Sequence, residues 1–139
     1  METLVNFRIG ISNGYASINE WHKECVTVLG KEVGGSLSGS EEKWCAICLD
    51  SKRLFSWLTA TRDNFTWTPT YSRVQAQITL IQSGKTIDTP VMYSQLDTTD
   101  SISIVDGRHR TAALHQLGAV KIPVMVPESQ TKLFLRHLG

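Results

Sequence analysis

Arg108, His109 and Arg110 stand in a row between an apolar stretch and an alanine-rich one, within SISIVDGRHRTAALHQLGAVKIPVMV, residues 101–126. Guanidinium and imidazole groups donate hydrogen bonds to phosphates and carboxylates, and crowded together they repel one another unless an anion joins them. Gly107, just before them, permits a tight turn. A helix starting there would add unpaired backbone amides and the positive end of its dipole. This grouping predicts a phosphate site. The bland alternative is a solvated helix start whose charges pair with Asp97, Asp100 or Asp106. Asp106 reads first as a helix N-cap. A metal-dependent nuclease would instead use Asp106 with Asp97 or Asp100 to hold magnesium, leaving His109 to handle protons.

The neighbouring elements would position this loop. Ile102 and Ile104 alternate with serines, the period of a half-buried strand, and Ala112, Ala113 and Leu117 follow at helical spacing. Upstream, Val74, Ile78 and Ile81 mark a helix from about Tyr71 that Gly84 closes, followed by a strand around Pro90 to Tyr93 and the polar turn LDTTDS. Downstream, IPVMV is a strand, and Ser129 would cap a last helix through Leu138 with Arg136 and His137 at its C-terminal end.

The first half predicts a strand over LVNFRIGI, residues 4–11, and then a helix opened by the Ser17, Glu20 capping box and closed by Gly30. GGSLSGS, residues 34–40, is a loop. Trp44 to Leu49 reads as a buried strand, and Asp50 would cap a helix over SKRLFSWLTAT with Leu54, Trp57 and Leu58 inward. RDNFTWTPT breaks the regularity, so Trp67 is the tryptophan free to stack on a base or meet a partner. The alternation gives a mixed α/β class.

At 139 residues with 41% hydrophobic and 19% charged side chains, the chain is long enough for one core, and its composition excludes disorder. A formal net charge of +1 excludes a general basic coat, so any phosphate affinity must be local. The opening METLVNFRIG lacks a signal-peptide pattern and no long apolar run occurs, so a cytoplasmic location is expected. Cys45 and Cys48 have the CxxC spacing of a redox pair or half a zinc site. No second ligand pair follows, so small apolar residues in a buried strand are the favoured reading and zinc is not expected. His109 and His115, six apart, cannot share a metal on one helix face, and His115 reads as a surface residue.

From Tyr71 to Gly139 the chain resembles the ParB and sulfiredoxin superfamily. The likeness is carried by IVDGRHRTAALHQLGAVKIPVMV, with LFLRHLG after it, and covers about half the chain. The DGRHR form, with CLDSKRLFSW upstream, is most similar to the plasmid fertility-inhibition and oncogenic-suppression proteins of that group. The resemblance implies a ParB/sulfiredoxin-like core over residues 66–139 with a small mixed sheet flanked by helices, and an N-terminal α/β extension over residues 1–65, all in one domain. It implies nucleotide phosphate binding by Gly107, Arg108, His109 and Arg110, with Thr111 giving a hydroxyl and Arg73 standing where sulfiredoxins have a phosphate-binding lysine. ATP or another nucleoside triphosphate with magnesium would be the cofactor, and a nucleotide hydrolase or nuclease the activity, with Asp106 and His109 as catalytic candidates. Arg108 replaces the reactive cysteine of sulfiredoxins, so sulfinic-acid reduction is not expected. No helix-turn-helix follows the domain, which argues against chromosome partitioning.

The function implied is that of an accessory protein of a mobile element, inhibiting plasmid transfer through this loop. Two other classes stay open. One is a non-catalytic inhibitor or immunity protein that binds a transfer-system component or a toxin; the other is a DNA-binding module.

Overall fold

A computed structural model describes residues 6–9, 16–19, 32–33, 44–62 and 64–139. The class is mixed α/β. Three short strands come first, β1 (Asn6–Ile9), β2 (Ala16–Asn19) and β3 (Glu32–Val33). They are followed by β4 (Trp44–Asp50) and helix α1 (Ser51–Thr59), then helix α2 (Tyr71–Gln82), β5 (Ile87–Asp88) and β6 (Val91–Ser94). The second half closes with β7 (Ile102–Asp106), α3 (Arg108–Gln116), β8 (Lys121–Pro127) and α4 (Thr131–Leu138).

Among the described residues the strands form two sheets, one in the order β2-β1-β5 and a larger one in the order β3-β4-β8-β6-β7. β4 and β8 pair antiparallel along seven residues, from Trp44 with Pro127 to Asp50 with Lys121. β8 meets β6 in parallel at Val91 and Met125. β4 and β8 are buried on both faces, which is why WCAICL and IPVMV read as unbroken apolar runs rather than alternating ones. Residues 44–58 share one core with the second half, so the stretch expected as an N-terminal extension supplies a central strand and a packed helix. Phe134, Ile47, Leu54, Met92 and Ile122 are fully enclosed there, each contributing about 1.5–3 kcal/mol by burial.

The helices end and begin for local reasons. α2 closes in a Schellman turn: Gly84, at φ 79°, donates to Ile81 O and Lys85 donates to Leu80 O. α3 closes in the same way at Gly118, φ 93°. α1 opens as expected, with the Asp50 carboxylate accepting the Arg53 amide at 3.0 Å.

Three expectations need correction. Ser17 does not open a helix; Ala16–Asn19 is a strand whose Ser17 and Ile18 pair with Arg8 and Phe7, because a neighbouring strand outweighs a four-residue capping pattern. The rest of that expected helix and the 34–40 loop lie outside the described residues. Ser129 does not cap α4, since Glu128–Gln130 forms a 3-10 turn and the helix begins at Thr131. Asp106 is not an N-cap, because Gly107 occupies that position. Among the described residues no helix is long and apolar enough to cross a membrane.

Candidate functional site

The turn between β7 and α3 depends on Gly107. Its φ is 104°, a left-handed conformation that side chains with a Cβ disfavour, and an added Cβ would come 2.8 Å from Pro90 Cβ. The Thr111 amide and hydroxyl both donate to Gly107 O, at 2.9 and 2.8 Å. Thr111 is fully buried in that bond. Its hydroxyl therefore builds the turn, and the structure does not place it toward a ligand.

Arg110 is pinned as well. It donates to Asp88 O at 2.7 Å and forms an ion pair with Asp106 Oδ2 at 2.7 Å, with 12% of its side chain exposed. It lines the cavity edge while tying α3 to β5. Arg108 and Arg73 are different. Both are exposed, and among the described residues neither side chain has an ion pair or hydrogen bond.

These groups surround a cavity of about 470 Å³ lined by Trp67, Arg73, Ala76 and Gln77 on one side and residues 106–110 on the other. Arg73, Gly107, Arg108, His109, Arg110 and Asp106 thus line one cavity. The first turn of α3 has no acidic residue and no side-chain cap, so its leading amides have no acceptor from a side chain.

His109 lines the cavity together with Arg73 and Arg108. Burial, and then the charges of Arg73 and Arg108, lower its pKa from the ordinary 6.5, which keeps the imidazole neutral near pH 7. Nε2 accepts the Thr70 amide at 3.2 Å, so the ring proton belongs on Nδ1. Trp67 meets the ring edge-on at 5.2 Å and is half-buried. Trp67 is therefore a wall of the cavity, a position hinted at only by its irregular sequence surroundings.

The expected acidic grouping is dispersed. Asp106 faces Arg110, Asp97 accepts from Gln130 Nε2 at 2.7 Å, and Asp100 borders a neighbouring cleft. Among the described residues no set of three or more His, Cys, Asp or Glu side chains could hold a metal. Among the described residues that line the cavity, Asp106 is the one carboxylate.

His115 is not a bare surface residue. Its ring stacks on Phe55 at 4.4 Å, and Nδ1 lies 2.8 Å from the buried Ser51 hydroxyl. Burial and Lys52 lower its pKa while Asp50 opposes them. Cys45 and Cys48 are buried on β4 and form no disulfide with each other. Three apart on a strand, their side chains leave opposite faces, so the CxxC spacing brings no sulfurs together. Burial, aided by Glu128, raises the Cys45 pKa and keeps it a thiol.

No family model and no solved structure matches this chain. Part of it is similar to a curated protein, the ATP-dependent L-serine kinase of Desulfurococcus mucosus, with 36% identity over 55 residues. The match covers 40% of this chain and 22% of the kinase.

Proposed function

We propose that this protein binds a nucleoside triphosphate through its phosphates in the cavity between α2 and the β7 to α3 turn. The observation that carries this reading is the presence of two exposed arginines, Arg73 and Arg108, with no counter-ion among the described residues, beside a helix start without a side-chain cap. Two such charges held against one cavity lower each other's stability until an anion enters. Arg108 and Arg73 would neutralise phosphate oxygens, the first amides of α3 would donate to them, and Gly107 would let the backbone approach. Arg110 is a positioning residue that holds the turn.

The partial similarity to an ATP-dependent kinase supports phosphoryl transfer as the reaction class, and a ParB/sulfiredoxin-like ancestry accords with the glycine-led basic loop. In such a step a hydroxyl oxygen attacks the terminal phosphorus, the bond to the bridging oxygen breaks, and the arginines offset the charge gathered on the leaving diphosphate. Asp106, the carboxylate at the cavity edge, would accept the proton of the attacking hydroxyl. His109, neutral with Nδ1–H, would act as a neutral donor. Magnesium, carried on the nucleotide, would supply further charge neutralisation.

The test is a thermal-shift and calorimetric titration with ATP, ADP, CTP and GTP, with and without magnesium, on the natural protein and on Arg73→Ala/Arg108→Ala. Saturable stabilisation that vanishes in the double variant is expected, since a ligand bound to the folded state alone raises its stability. An absent response, or one that persists in the double variant, would remove the cavity from consideration.

A further inference from the structure

A second cleft of about 390 Å³ adjoins the phosphate cavity, and Trp67 and Arg108 are walls of both. Its other planar groups come from the end of α1 and the turn after it. Arg62 and Phe65 exchange backbone hydrogen bonds of 2.8 and 2.9 Å, and Asn64 has φ 62°. Phe65, its main chain held by those two bonds, has 66% of its surface exposed. The Arg62 guanidinium lies 4.2 Å from the Trp57 ring centre and donates to Trp57 O. Gln95, Asp100 and Ser103 add polar groups to the lining.

We infer that this cleft holds the base of the nucleotide whose phosphates occupy the neighbouring cavity, an inference that rests on the phosphate reading. Arg108 stands at the junction, where sugar and phosphate would meet. Aromatic faces and a guanidinium plane stack on a base, and stacking accepts any base because each has a π-face. An apolar side chain from a protein partner would leave Gln95, Asp100 and Ser103 covered without hydrogen-bond partners, whereas a base edge carries both donors and acceptors. Phe65 serves no core, so its exposure is explained by a ligand face rather than by packing.

The experiment compares ATP with inorganic tripolyphosphate by calorimetry on the natural protein, Phe65→Ala and Arg108→Ala, with unchanged melting temperatures as the check on folding. ATP is expected to bind about tenfold tighter than tripolyphosphate. Phe65→Ala should erase that advantage and leave tripolyphosphate affinity unaltered, and Arg108→Ala should weaken both. Equal ATP affinity in the natural protein and Phe65→Ala would overturn the base cleft while leaving the phosphate site standing. If neither probe binds the natural protein, the phosphate reading itself falls. Binding of a single-stranded oligonucleotide that depends on Phe65, with no response to ATP, would replace a mononucleotide by a nucleic-acid strand.

Discussion

Two strand-to-helix junctions in this molecule begin from nearly the same letters and end in opposite chemistry. β4 runs into α1 through Asp50, Ser51, Lys52 and Arg53; β7 runs into α3 through Asp106, Gly107, Arg108, His109 and Arg110. At the first, the aspartate is the N-cap and its carboxylate takes the Arg53 amide, so the helix start supplies its own anion. At the second, one glycine separates the aspartate from the helix. Asp106 is displaced from the cap onto Arg110, and the helix start has no side-chain cap where it borders the cavity with Arg108. A single inserted residue thus separates a helix start capped by its own aspartate from one with no side-chain cap.

The largest effect should come from restoring a Cβ at the glycine. Gly107→Val must adopt a positive φ and push against Pro90, which should cost about 2–4 kcal/mol and abolish nucleotide-induced stabilisation; chemical denaturation with and without ATP measures both. Arg110→Ala should follow, losing about 1.5–3 kcal/mol because Asp88 O and Asp106 lose a charged donor. It should also weaken phosphate binding by disordering the turn, and a variant as stable as the natural protein would show that the pin is superficial. Asp50→Ala removes only a cap, so a loss of about 1 kcal/mol with unchanged ATP affinity is expected from the same two measurements. A drop in ATP affinity would break the contrast between the junctions.

The smallest effect is one of pH. His109 and His115 have folded pKa values below the unfolded 6.5, so the unfolded chain binds more protons as pH falls below 6.5. Their contribution to stability is complete above 6.5 and declines as pH drops toward the folded values. Phosphate binding should raise the His109 pKa and leave that of His115 in place. A proton NMR titration of the two rings, with and without tripolyphosphate, distinguishes them.

From Trp44 onward the element order could be read from periodicity, because apolar spacing, the Asp50 cap and the closing glycines Gly84 and Gly118 are local signals. The site was legible in part for the same reason, since the loop residues are contiguous and only Arg73 comes from elsewhere. What was not legible depended on partners distant in sequence. Ser17 became a strand residue because β1 lies beside it. Gln130 precedes α4 without capping it through its side chain, since its amide group bonds the Ser94 main chain and Asp97. The tie from Arg110 to Asp88 O, 22 residues away, could not be read from the loop residues alone. Trp67 and Phe65 carried no periodicity, so nothing in the sequence joined them to the loop.

Pro90 belongs at once to the turn and to the sheet. Its ring walls Gly107, and its carbonyl accepts the Met125 amide at 2.8 Å where β6 meets β8. The two halves of the large sheet join along a short parallel seam at this point, so whatever displaces the turn pulls on the seam. The Met125 amide, fully enclosed in the core, is in effect a strain gauge for a surface loop. Its exchange with solvent should slow when the cavity is filled, reporting occupancy from the centre of the protein.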